Sequence, residues 1–448
     1  MPPLPPARIP APPAGWKRLA WLGPGFLWMV SAAGSGELLF TPRVGALYGY
    51  ALLWALLAAV ALKWVVNREI GRYAVCRGVG VLQAFLPAPG RRPWVFALIV
   101  LPQVVVAVAT LAGLAGGAAT AVALAAGGDV RLWAAASLLS STALVTLGRY
   151  KGVEKVATGI AVGLAAAAVA AAVAVRPDAG ALAAGVVPSA PPDVDLAEVL
   201  PWLGFMLSGA AGLMWYSYWV RARGYGAAAD KPERPVDPHA LATEDRRRLS
   251  GWIRQVTLDT TVAVVGTLVI TLAFLVLGAE LLRPRGLVPE EERIAEVLGH
   301  LLGDVFGPVG FWFMVLGVFV GFWDTILSDQ DGFGRFFADA AAHTLRDRPR
   351  GRVLALARAP RAWVLTLLTA APLALYLAIG EPVTLLKIAG TIEAVQIPIV
   401  GAYVLRRNLR LPADLAPRRR TIAAMLAAVL FFGGFALLYL AQEAGIGA

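Results

Sequence analysis

Apolar runs of about twenty residues recur along the chain from residue 19 to residue 440, with short polar loops between them. A helix that crosses the hydrocarbon core of a bilayer needs about 20 such residues. By that length criterion there are about eleven spans. They cover residues 19–47, 51–73, 94–115 (with a Gly/Ala-rich extension to 126), 132–147, 153–175, 196–220, 253–277, 309–327, 363–379, 383–405 and 422–440. Charged residues make up only 15% of the chain, against roughly 25% in soluble domains. The expected class is an all-α, multi-pass membrane protein.

Loop charges set the expected orientation. Lys17, Arg18, Arg68, Arg72, Arg77, Arg91, Arg92, Arg149, Lys151 and Lys155 lie on one side. Arg221, Arg223, Arg246 to Arg248, Arg346 to Arg352 and Arg406 to Arg420 continue that set. The alternate loops hold few basic residues, interleaved with Asp178, Asp193, Asp195, Glu198 and Glu290 to Glu292. The positive-inside rule puts the first set in the cytoplasm, with the N-terminus inside and the C-terminus outside. The net charge of +11 is thereby explained by topology, and no nucleic-acid partner is implied. The expected location is the plasma membrane, with lipid as the surrounding partner and a monomer as a plausible state.

Cys76 is the single cysteine, which excludes an intramolecular disulfide and a CxxC metal site. His239, His300 and His343 lie outside the spans or at their ends, so a histidine-rich metal centre is not expected. Residues 1–18 are Pro-rich and read as a disordered tail, with no cleavable signal evident.

The first span is interrupted. Gly23 to Tyr50 begins and ends apolar, but its middle reads Ala33-Gly34-Ser35-Gly36-Glu37. Broken backbone at membrane depth is tolerated only against protein or a water-filled cavity. An ionisable group there is a functional-site hypothesis by default. The plainer alternative is that Ser35 caps a second half-helix and Glu37 favours its positive end. The sixth span carries a second candidate break at Gly209 to Gly212. Two interrupted helices at matching places in two halves point to inverted repeats with a substrate site between them. Gly for close helix packing is the alternative.

At several places the chain resembles the Nramp family of proton-linked divalent-metal transporters, which have a LeuT-type fold. Gly23-Pro24-Gly25-Phe26-Leu27 and Tyr48-Gly49-Tyr50 match the family's first helix. Arg68-Glu69-Ile70-Gly71-Arg72, Gly148-Arg149-Tyr150-Lys151-Gly152-Val153-Glu154, Thr325-Ile326 with Gly332, and Gln396-Ile397-Pro398 resemble further segments. The resemblance implies about eleven transmembrane helices in a 5+5 inverted repeat plus one more. The expected organisation is repeat 1 at residues 19–175, an extracellular loop at 176–195, repeat 2 at 196–405, and helix 11 with the C-terminus at 406–448.

The resemblance also implies a site, and this chain departs from it. Gly34 stands where the family has its metal-binding Asp, and Glu37 where it has an Asn. Met214 retains the thioether of the family's Met-Pro-His, while Tyr216 replaces the histidine. The family's carbonyl ligands fall at Ser31 and Ala211, and a tenth-helix glutamine falls at Gly390. The third span, from Pro102 to Thr110, lacks the acidic pair used for protons.

The residues themselves support part of this chemistry. Glu37 is a hard oxygen ligand suited to Mg²⁺, Mn²⁺ or Ca²⁺, and Met214 a soft one, unless it only packs. A charge held at Glu37 needs a partner, and a cation is the economical one. Asp324, Ser328 and Asp331 share one helical face, with Asp324 deeper and Asp329 and Asp331 read as a solvated end. Thr391 and Glu393 lie inside the tenth span, with Lys387 a turn earlier as part of a polar network. Trp215, Tyr216, Tyr218 and Trp219 read as an interfacial belt, or Tyr216 as a wall of the site.

The expected function is secondary transport of divalent cations such as Mg²⁺ or Mn²⁺ by alternating access, with weak or absent proton coupling. The alternative is a transporter of the same fold for an amino acid or amine. No Ser-His-Asp set, HExxH or Walker loop is present, so no enzyme activity and no resident cofactor is expected, only a transported cation.

Overall fold

The computed structural model describes residues 9–25, 34–86, 94–147, 151–189, 191, 193–232, 234–345 and 360–445. Every regular element among them is helical. The second half of the first span forms a π-helical turn at Ser35–Phe40, followed by α1 (Thr41–Tyr48). Then come α2 (Leu53–Arg77), α3 (Trp94–Ala126), α4 (Val130–Leu147) and α5 (Lys151–Ala174). The sixth span is split into α6 (Leu196–Phe205) and α7 (Ala210–Arg223). The chain continues through α8 (Thr243–Leu277), α9 (Ile294–Leu345), α10 (Pro360–Ile379), α11 (Pro382–Asn408) and α12 (Arg419–Glu443).

Eight of the described helical segments are long and apolar enough to cross a membrane, and Val364–Ile379 is a shorter apolar helix. Helix α2 is long enough too, but Lys63, Arg68, Glu69 and Arg72 interrupt its apolar run. Outward-facing residues recur at helical spacing: Leu98, Leu101 and Val105 on α3, and Val262, Val265 and Val269 on α8. Such apolar outer stripes suit lipid as the solvent.

Helix α3 sits at the centre and packs against α9, α11, α4 and α10. Helix α2 packs against α7, α8 and α12, and α11 lies along α6. The α6–α11 crossing is very close. A Cβ on Gly204 would lie 1.9 Å from the Gly390 carbonyl oxygen. Small residues permit that approach where lipid gives helices no hydrophobic reason to associate.

Three expectations are corrected. First, part of the Pro-rich tail is packed, around Ile9 to Pro12, while residues 14–17 are exposed. Ile9 is buried, its N–H donates to Asp245, and the Trp252 indole donates to the Pro10 carbonyl. A Pro-rich segment loses little backbone freedom when it lies in a groove of α8; residues 1–8 fall outside the described residues. Second, α9 is two helices that meet at a non-helical Gly307 (φ 69°, ψ −157°) just before Pro308. The piece from Ile294 folds back there, so that Phe311 packs against Gly299 and Gly303. The second helix starts close to the expected 309 but runs on to Leu345, past the expected end at 327, because the charged residues there lower the hydropathy without ending it. Third, the aromatic run on α7 is not a lipid-interface belt. Trp215, Tyr216 and Tyr218 are buried because α7 is enclosed by α2 and its neighbours.

Candidate functional site

The break in the sixth span lies at Met206 to Gly209, three residues before the expected Gly209 to Gly212. The turn is made by non-glycine residues: Leu207 has φ 61° and Ser208 φ 92°. Each such conformation costs about 1–3 kcal/mol and persists only when neighbours hold it. Gly209 is ordinary extended backbone (φ −77°, ψ −177°). Its lack of a side chain serves another purpose, since a Cβ there would sit 2.5 Å from the Glu393 carboxyl carbon.

Two groups hold the break from one side. The Lys63 ammonium on α2 donates to the carbonyl oxygens of Gly204 (2.8 Å), Met206 (2.5 Å) and Ser208 (2.8 Å). The Glu37 carboxylate accepts the Leu207 N–H at 2.7 Å through Oε1, while its Oε2 has no partner among the described residues. Both side chains are fully buried. Glu37 and Lys63 thus hold neighbouring backbone groups of the same break, the Leu207 N–H and the Met206 and Ser208 carbonyls, with no direct ion pair between them among the described residues.

Glu393 holds the break from the other side. Its Oε2 accepts from the Ala211 N–H at 3.0 Å and from the Gln103 amide at 3.3 Å. A carboxylate suits the first turn of α7, where free N–H groups and the helix dipole both favour negative charge. Gln103 is in turn fixed by Gln396, whose own amide donates to the Leu98 carbonyl at 3.1 Å.

The first span is also irregular where its glycines predict. Gly34 precedes a π-helical turn, a wide form that recurs at functional sites. A Cβ on Gly34 would meet Thr325 Oγ1 at 2.2 Å, so α9 lies hard against this point. Ser31 falls outside the described residues.

Between the sixth-span break, α3, α9 and α11 lies a cavity of about 30 Å³. Thr110, Ser208, Trp215, Thr325, Asp329 and Glu393 supply its polar wall. Thr110 Oγ1 and Trp215 Nε1 are buried and have no partner among the described residues. Asp329 is 5% exposed, and its carboxylate has no hydrogen bond or ion pair among the described residues. No group of three His, Cys, Asp or Glu side chains there is placed to hold a metal by itself.

The expected site residues divide accordingly. Ala211 and Glu393 line the cavity. Glu37 and Gly34 shape the breaks beside it. Met214 is buried but outside the lining. Tyr216 turns its hydroxyl to Asp259 Oδ2 at 2.8 Å on α8, away from the cavity. Gly390 serves the α6–α11 crossing, and Thr391 is half-buried outside the lining. Asp324 is half-buried outside it too, whereas Asp329, read from sequence as a solvated end, points in. The register explains this: Thr325 and Asp329 are one turn apart on the inward face of α9. Lys387 joins the Glu198 carboxylate at 2.5 Å rather than Glu393. Sequence reasoning passed over Lys63, although a lone lysine in an apolar run was a usable signal. It also passed over Thr110, and it read Trp215 as part of an interfacial belt rather than as a wall of the cavity.

Comparison with known proteins bears on this arrangement. The chain matches the family described as natural resistance-associated macrophage protein-like over residues 25–442. An uncharacterized protein of Pasteurella multocida is 24% identical over 438 residues, covering 96% of this chain and 93% of that protein. The metal transporter Nramp3 of Arabidopsis thaliana is 41% identical over 70 residues, which is 15% of this chain and 14% of that protein. Among solved structures, the manganese transporter of Eremococcus coleocola, in complex with an aromatic bis-isothiourea substituted compound, superposes with a TM-score of 0.68 at 14% identity. That match covers 99% of this chain and 92% of the other. The fold is the all-α, LeuT-type arrangement, with the sixth span broken at Met206 to Gly209 and the described part of the first span starting in a π-helical turn at Ser35–Phe40. The chain belongs to the natural resistance-associated macrophage protein-like, or Nramp, family.

Proposed function

We propose that the protein is a secondary transporter of a hard divalent cation such as Mg²⁺ or Mn²⁺, bound in the cavity beside the sixth-span break. The observation that carries this reading is the pair of carboxylates, Glu393 and Asp329, facing one small buried space. Mg²⁺ typically keeps several waters and takes one or two carboxylates. Two carboxylates with the hydroxyls of Thr110, Ser208 and Thr325 fit that habit, and Trp215 Nε1–H would donate to an accompanying water. Met214 lies outside the lining, so nothing soft biases the space toward thiophilic metals. A cavity of about 30 Å³ holds an ion or a water but not an amino acid, for which pockets run to roughly 300 Å³ or more.

Proton coupling is weak or absent in this reading, because Gln103 rather than an acid is the polar group that α3 places at Glu393. The test is calorimetry and liposome flux with Mg²⁺, Mn²⁺ and Ca²⁺ on wild type, Glu393→Gln and Asp329→Asn, with a pH-sensitive dye in the same liposomes. Wild type should bind and carry at least one ion, and each variant should lose tenfold or more in affinity with little internal acidification at any stage. Unchanged binding by folded Glu393→Gln would remove the cavity from the argument. No divalent binding by wild type would transfer the site to an organic substrate, and strong acidification would refute the weak coupling.

A further inference from the structure

The break in the sixth span creates a need that the protein meets with an unusual group. Where α6 ends, its last carbonyls lose their intrahelical partners and carry the negative end of the helix dipole. Inside a bilayer no water is at hand to satisfy them. In transporters with broken helices, unwound carbonyls and half-helix ends of this kind coordinate a coupling cation such as Na⁺. Here the Lys63 ammonium occupies that position. Its three donors match three acceptors, Gly204, Met206 and Ser208, at 2.8, 2.5 and 2.8 Å. Two carboxylates hold the same break, Glu37 at the Leu207 N–H and Glu393 at the Ala211 N–H.

We propose that Lys63 is a tethered cation that takes the place of a bound alkali-metal ion at the sixth-span break. It fixes the strained Leu207-Ser208 turn and makes the transport cycle independent of Na⁺ and K⁺. Lys63 acts as a positioning residue for the break, not as a ligand of the cargo.

The experiment compares wild type, Lys63→Ala and Lys63→Met in detergent and in liposomes, with choline, Na⁺, K⁺, ammonium or butylammonium as the monovalent cation. Thermal unfolding is read first, because it needs no substrate and is therefore separate from the divalent assignment. Wild type should unfold at one temperature in all five media and carry its substrate at the same rate in Na⁺ and choline. Lys63→Ala should unfold several degrees lower in choline and regain much of the difference in butylammonium, ammonium or Na⁺, with flux rising several-fold in parallel. Lys63→Met, which fills the channel left by the side chain with an uncharged group, should be impaired and not rescued. Wild-type flux that requires Na⁺ or K⁺ would overturn the proposal even if neither variant folds. So would a Lys63→Met protein that matches wild type in stability and flux, or a folded Lys63→Ala that no cation restores.

Discussion

A fully buried lysine among apolar residues is expensive unless its charge is met. Lys63 shows how much of such a residue can be read in advance. Its cost was legible, since it stands alone in an apolar stretch of α2. Its partners were not, because they are backbone carbonyls 141 to 145 positions further along the chain. Glu37 presents the mirror case. Its presence in an interrupted span marked it as chemically important, and the structure gives it the Leu207 N–H, between the Met206 and Ser208 carbonyls that Lys63 holds. A Glu37→Gln change keeps an oxygen for Leu207 but removes one counter-charge from Lys63. Its midpoint of thermal unfolding should fall by a few degrees, while divalent affinity should fall less than tenfold, less than in Glu393→Gln. Titration calorimetry on both variants checks this. A loss as complete as that of Glu393→Gln would make Glu37 a direct ligand.

Three spans meet on the side away from the basic loops. Arg43 of α1 makes paired contacts with both oxygens of Glu198 of α6, each at 2.8 Å, and Lys387 of α11 reaches the same carboxylate. The Arg43 side chain is 7% exposed and that of Glu198 12%, so water screens this network little. Breaking a buried pair from one side typically costs about 3–5 kcal/mol; Lys387 would still neutralise Glu198 here and soften the loss. The network ties α1 of the first span and α6 of the sixth to α11, which fits a state closed on that side. Arg43→Ala should shift the protein toward opening there. The measurement is the rate at which an impermeant thiol reagent, added from that side, labels Thr325→Cys in a Cys76→Ala background. Several-fold faster labelling is expected with Arg43→Ala, and an unchanged rate would leave the network a purely structural clamp. The positions of these helices were largely readable, because run length and loop charge survive without any tertiary information. The break in α6–α7 was misplaced by three residues because glycine was taken as its marker. Leu207 and Ser208 instead adopt positive φ under the hold of Lys63 and Glu37, a tertiary cause that composition does not record.

Across the whole molecule, the distribution of charge is the feature with the widest reach. The basic loops and the acidic ones fall on alternate sides of the successive spans, and several described helices, such as Leu53–Arg77 and Arg419–Glu443, begin and end close to the run boundaries, while the eighth runs well past its run to Leu345. Some of the described basic residues on this side also make tertiary contacts. Arg72 binds Glu69 at 2.9 Å and the Leu415 carbonyl at 2.7 Å, Asn408 joins the same carboxylate, and Arg407 holds the Ala84 carbonyl. These contacts tie the ends of α2 and α11 to the loops beside them, so the basic residues both orient the chain and lock one face. The positive-inside rule predicts that this face is cytoplasmic and that the C-terminus lies on the other side. Cys76 is buried and is the single cysteine, so a Cys76→Ala protein gives a clean background. Cysteines placed at Lys17 and Arg410 should react with an impermeant reagent only after the membrane is opened. Cysteines at Arg285 and Glu443 should react in intact cells. The opposite pattern would invert the molecule; labelling of Lys17 and Glu443 from the same side would mean an even number of crossings, and the repeat-plus-one architecture could not stand.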